Sequence, residues 1–210
     1  MSDTVRRLTG PVVAVAALAA FLAVRPAPPD PAPADFGTAA PAAPASQPRT
    51  TGTPAGAPPR SDPPPSRVLV PDVGLDAPVR PVGVTGSGEV AVPADPDVAG
   101  WYRFGPAPGS DRGSAVLVGH VDDDTGALGE FAALYEVRPG NRVEVRRTGS
   151  PPADYRVVSR VTVPKDDLPA SVFRRTDAPV LTLVTCAPPF DPERGGYLSN
   201  LVVTAEPLRD

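Results

Sequence analysis

Val180-Leu181-Thr182-Leu183-Val184-Thr185-Cys186 is an unbroken apolar and β-branched run held between Pro179 and Pro188. A run this short between two breakers has no room for a helix, and its β-branched content favours an extended chain, so it is a buried strand. The period of two sets Leu181, Leu183 and Thr185 on one face and Val180, Thr182, Val184 and Cys186 on the other. The strand ends at the only cysteine in the sequence.

From Arg67 onward the same kind of run recurs, short and apolar, separated by Gly, Pro and Asp. That spacing indicates an all-β barrel or sandwich. Strands are expected near Arg67–Val70, Asp76–Pro81, Glu89–Val92, Ala115–Val121, Arg142–Arg147, Tyr155–Val163, Val180–Cys186 and Leu201–Ala205. One helix is expected from about Gly129 to Tyr135, where Phe131, Leu134 and Tyr135 fall at i, i+3 and i+4 before Pro139-Gly140 ends it. Trp101 and Tyr102 read as packing residues of the core or rim.

The preceding third of the chain has a different character. The sequence carries 32 prolines in 210 residues, about three times the usual share, and most lie outside the expected strands. Residues 25–66 are Pro, Ala, Gly, Ser and Thr with a few charges and one large apolar residue, Phe36, so the segment reads as a disordered linker. Extended as polyproline II it reaches about 130 Å. Before it, Leu8 to Val24 is almost wholly apolar and follows Arg6-Arg7. As a helix it spans about 25 Å, the lower edge of a bilayer core. A single-pass membrane anchor with a cytoplasmic N-terminus is expected there. The rival is a cleaved signal peptide using the small-x-small site Ala17-Leu18-Ala19. Both readings export the remainder, and the expected division is residues 1–24, 25–66 and 67–210.

Composition excludes several functions. A net charge of −4 leaves no basic footprint for nucleic acid. A single cysteine forms no internal disulfide, and one His with one Cys cannot furnish a structural zinc site. Asp122-Asp123-Asp124 with Glu130 lacks the alternation and central Gly of a calcium loop. Neither a metal nor a cofactor is expected.

Taken alone, Cys186 is equally well explained as a small buried hydrophobe. His120 changes that balance, because it too is unique and follows an apolar strand, Ala115-Val116-Leu117-Val118, after Gly119. Two unique residues able to form a Cys–His ion pair, each at a strand end, point to a thiolate nucleophile.

Thr182-Leu183-Val184-Thr185-Cys186 resembles the Thr-Leu-x-Thr-Cys strand of the sortase family, and Gly119-His120-Val121-Asp122 resembles its histidine segment. Gly100-Trp101-Tyr102, the stretch from Phe131 to Val145, and Phe190-Asp191 are similar to the actinobacterial class F branch, and the likeness covers roughly Arg67 to Pro207. It implies a closed eight-stranded β-barrel with one or two short helices. It also implies a cysteine transpeptidase that cleaves an LPxTG-like sorting signal between Thr and Gly through a thioacyl-enzyme. The implied acceptor is an amine, either a peptidoglycan precursor or a pilin lysine, and the implied location is the outer face of the cell membrane.

By this resemblance Cys186 is the nucleophile and His120 the acid and base. The family holds its oxyanion with an arginine about a dozen residues after the cysteine, where this chain reads Tyr197-Leu198-Ser199-Asn200. Leu198 stands in the arginine position, so Arg194 is the closest substitute, with Arg103 and Arg112 more remote. Thr185 and Leu168, the latter in the loop Asp166-Asp167-Leu168-Pro169, are the expected substrate contacts. Two alternatives remain: a non-catalytic sortase-like binding domain, and a simple cysteine peptidase that uses water. His120 precedes Cys186 here, the reverse of the papain order, which counts against a papain-like peptidase.

Overall fold

The computed structural model describes residues 33–38 and 62–208. The expected anchor and most of the expected linker lie outside the described residues.

Strands β1 (Pro65–Val70), β2 (Leu75–Val82), β3 (Ala99–Tyr102), β4 (Ser114–Val118), β5 (Arg142–Arg147), β6 (Ser150–Pro164), β7 (Val180–Asp191) and β8 (Gly196–Pro207) close into one barrel. Their order around it is β1-β2-β3-β4-β7-β8-β6-β5, with β5 returning to β1. The pairs β2–β3 and β4–β7 are parallel and the rest antiparallel. Parallel neighbours need a covered outer face, and β7 has one. Leu181 and Leu183 are fully buried in the barrel interior, while Val184 packs outside with Val116, Val118, Val202 and Val172. Between them the hydroxyls of Ser114 and Thr182 share a buried hydrogen bond of 2.8 Å. Truncating an interior leucine such as Leu183 to Ala would cost about 2–5 kcal/mol.

The helix expected from Gly129 to Tyr135 is a 3₁₀ helix, Glu130–Tyr135, and it buries Phe131 and Leu134 against the interior cluster. Three residues per turn align i and i+3, which suits a two-residue contact better than a longer apolar stripe.

One expected strand is absent. Glu89–Val92 belongs to no strand; Val84 and Val90 form an isolated bridge, Ala91 N–H donates to Gly83 O at 3.0 Å, and Thr85 N–H donates to Glu89 O at 2.8 Å. The segment is a reversal at the end of β2, and Pro93 lacks the N–H to extend it. The place beside β2 goes to Ala99–Tyr102, paired Val79↔Ala99 through Val82↔Tyr102. Here Trp101 packs on the interior cluster and Tyr102 on the outer one.

A second difference concerns the end of β7. Pairing with β8 continues past Cys186 to Asp191, interrupted between Ala187 and Phe190, where Pro188 and Pro189 have no N–H to give. Cys186 therefore lies within a strand, with Ala187 between it and the bulge.

A third difference falls in the expected linker. β1 begins at Pro65, and residues 33–38 dock on β6. Phe36 and Arg160 exchange both backbone hydrogen bonds at 2.9 Å, and Asp35 Oδ1 accepts from Thr162 N–H at 2.8 Å. The Arg160 guanidinium lies 5.1 Å from the Phe36 ring centroid and donates to the carbonyls of Tyr135, Val137 and Ala34. Gly37 has φ +70°, and a Cβ there would fall 2.5 Å from Val158 O, so this docking requires glycine.

Candidate active site

Cys186 sits on the outer face of β7, in the same alternation as Val184. It lines a groove of about 360 Å³ whose apolar wall includes Val90, Val92, Val116, Val118, Leu168 and Phe173. The reversal that replaces the expected strand thus forms one side of this groove, through Gly88 to Val90 and Val92. Thr185 and Leu168, the expected substrate contacts, line it together with Cys186. The Oγ1 of Thr185 is buried and has no hydrogen-bond partner among the described residues.

The histidine arrives by the parallel register of β4 and β7. Val118 is opposite Val184, and Gly119 N–H donates to Val184 O at 3.1 Å, so the next step brings His120 alongside the Cys186 end of β7. The imidazole does not hydrogen-bond to Sγ; instead Nε2 lies 2.7 Å from the carbonyl oxygen of Pro93. A carbonyl only accepts, so Nε2 carries the proton and Nδ1 is the nitrogen left to gain one.

Burial pushes the Cys186 thiol above its ordinary range, and Asp122 adds to that rise, whereas Lys165 opposes it by charge and hydrogen bonding. Tyr135 donates its hydroxyl to the Cys186 carbonyl at 3.0 Å, and Tyr197 donates to Asp122 Oδ2 at 2.6 Å. Burial, with the negative ends of Cys186 and Asp122 nearby, pushes Tyr135 up to about 12. Tyr197 is raised by burial first and by Asp122 next. Both phenols therefore stay protonated as donors at any ordinary pH.

The arginine candidates stand elsewhere. Arg194 is exposed in the 3₁₀ turn Pro192–Arg194 at the tip of the β7–β8 hairpin, roughly 15 Å along the strand from Cys186. Arg103 lies against the Phe104 ring at 4.9 Å, and Arg112 pairs with Asp111 at 3.3 Å. None of the three lines the groove. Lys165, which motif spacing alone did not single out, does line it. Its signal was uniqueness: it is the only lysine in the sequence, as His120 and Cys186 are the only residues of their kinds.

A family model for the sortase domain matches residues 68–208. No curated protein sequence matches the chain. Among solved structures, sortase A of Listeria monocytogenes is similar at 20% identity and TM-score 0.52, covering 70% of this chain and 89% of that one. Sortase C1 of Streptococcus agalactiae is similar at 21% identity and TM-score 0.54, covering 69% and 67%. Sortase C-1 of Actinomyces oris is similar at 20% identity and TM-score 0.53, covering 69% and 71%. At these identities the likeness to the structures is one of fold, and the domain match supplies the family. With a closed barrel, a groove along β4 and β7 and its single cysteine in that groove, the chain belongs to the sortase family of cysteine transpeptidases.

Proposed function

We propose that the protein is a membrane-anchored sortase of the class F-like branch, cleaving an LPxTG-like signal between Thr and Gly and passing the acyl group to a cell-wall amine. The observation that carries this reading is the position of Cys186, in an apolar-walled groove beside the strand end that delivers His120. An extended peptide laid along the groove meets apolar walls on both sides, which suits the Leu-Pro part of such a signal. The anchor and the extracellular location rest on the sequence before residue 25 alone.

Nδ1 of His120 takes the proton of Cys186, and Sγ attacks the Thr carbonyl carbon, which forms the S–C bond and turns the carbonyl into an oxyanion. Collapse breaks the C–N bond, and the departing Gly amine takes the proton from the imidazolium. The acceptor amine then attacks the thioester, gives its proton to His120, and releases the Cys186 thiolate. The Pro93 carbonyl holds the ring through Nε2 in each state, since Nε2 keeps its proton throughout. Catalytic hydrogen bonds are often unformed until substrate is present, so the absence of a Sγ–imidazole bond is compatible with this sequence.

The test is incubation with a panel of Leu-Pro-x-Thr-Gly-like peptides and a range of amines, with products read by mass spectrometry. Ligated Thr–amine products support the proposal and identify signal and acceptor together. Release of the free acid at equal rates with and without amine would indicate a peptidase instead.

A further inference from the structure

We propose that Lys165 is the catalytic cation of this site: its ammonium donates to the oxyanion that forms when Cys186 attacks the acyl carbon. The inference rests on the transpeptidase reading above. An acyl-transfer intermediate carries a full negative charge on oxygen, in a groove whose described lining holds a single cationic side chain, Lys165. Glu89, the carboxylate of the same lining, accepts from the Ser87 hydroxyl at 3.1 Å. No carboxylate among the described residues pairs with Lys165, although Asp166 and Asp167 follow it in the chain.

The strand register explains how a residue so distant in sequence reaches the cysteine. Cys186 is opposite Asn200 across β7–β8, and Asn200 is opposite Val163 across β8–β6, so the three form one row over three adjacent strands. Side chains alternate, so Val161 and Val163 share the groove face of β6, and Leu198 shares that face of β8 with Asn200 and Val202. β6 ends at Pro164, which pairs with Ser199, and Lys165 opens the 3₁₀ turn Lys165–Asp167 that follows, next to β8 and lining the groove with Cys186 and Asn200. Leu198 has no donor to offer. The cation absent from β8 is thus present in the turn after β6, in the lining of the same groove, on a flexible stem that can place three N–H donors. Its charge already acts on the Sγ of Cys186.

The step changes no bond of Lys165, which stays protonated while the S–C bond forms and the C–N bond breaks. Among the described residues, the ionisable groups around Sγ are Lys165, Asp122, Glu89, the phenols of Tyr135 and Tyr197, and His120 at the neighbouring strand end.

Two readouts test the proposal on the full chain. Lys165→Met should lower transpeptidation by about 100 to 1000-fold with an unchanged circular dichroism spectrum. Lys165→Arg should stay within about tenfold of wild type, and Leu198→Arg should restore part of the activity lost in Lys165→Met. Independently of turnover, Lys165→Met should move the pH midpoint of Cys186 alkylation by iodoacetamide upward, because a favourable charge has gone. Loss of less than about fivefold in Lys165→Met together with an unmoved alkylation midpoint overturns the assignment. So does a peptide-dependent mass addition on Lys165, which would make it an acyl acceptor. If wild type itself turned over no peptide, the transpeptidase reading would fail, and the alkylation midpoint alone would then decide whether Lys165 acts on Sγ.

Discussion

Gly119 and Phe131 pack so closely that a Cβ on the glycine would fall 2.5 Å from the ring carbon Cγ. The ring fills the space beside the residue that leads into His120, and Phe131 N–H donates to the His120 carbonyl at 3.2 Å. Gly119→Ala should therefore shift the histidine segment, costing about 1–3 kcal/mol of stability and at least about tenfold in turnover. Phe131→Leu in the same chain should recover part of both, as measured by urea unfolding and peptide ligation. An unaffected Gly119→Ala would mean that the segment adapts without moving His120.

Tyr135 anchors the other partner through the carbonyl of Cys186. Tyr135→Phe removes that bond and leaves the carbonyl to find another donor, a loss of about 0.5–1.5 kcal/mol in unfolding free energy. Turnover should fall by less than about tenfold, because the hydroxyl bonds the backbone and not the reacting sulfur.

The pH behaviour of Cys186 has a definite sign. Burial raises its folded pKa, so near neutrality the thiol form dominates, and alkylation should accelerate as pH rises. Asp122→Asn removes a neighbouring negative charge and should move the alkylation midpoint down. For stability the same shift means that the neutral thiol favours the folded state below the ordinary thiol pKa. That contribution is lost as pH rises through the folded pKa, so Cys186→Ala should flatten the alkaline decline of the melting temperature.

The docked segment around Phe36 should be visible in stability and silent in chemistry. A chain beginning at Asp62 loses the Phe36 ring from Arg160 and both backbone bonds to β6. A loss of 1 kcal/mol lowers the melting temperature of a domain this size by about 2–4 °C, and a drop of a few degrees is expected with ligation rates unchanged. Gly37→Val in the full chain should reproduce it.

What could be read from the sequence was local. β7 was legible because its apolar residues serve two covered faces and prolines bracket them, and His120 and Cys186 stood out because each is unique. β3 was not legible: Gly100 interrupts it, and its stability comes from parallel pairing with β2, a contact no local pattern encodes. Arg194 looked near Cys186 by residue count, yet the hairpin carries it outward along two paired strands. Lys165 looked remote by the same count, yet the β6–β8–β7 register brings the end of β6, and with it the turn that holds Lys165, back to the groove. Counting along a chain measures distance well within a strand and poorly across a barrel. Phe36 was seen as the one large apolar residue of a linker, but its docking partner, the partly open edge of β6 at Arg160, exists only once the barrel closes.

The most direct test of the central claim is acid-quenched intact-mass spectrometry of the full chain with an LPxTG-like peptide and no amine. The account requires a peptide adduct on Cys186 lacking the residues after Thr, which disappears on adding an amine as ligated product forms, and which neither Cys186→Ala nor His120→Ala accumulates. Cleavage of the peptide by a folded Cys186→Ala variant, or intact peptide bound without any adduct on wild type across the whole panel, would contradict it.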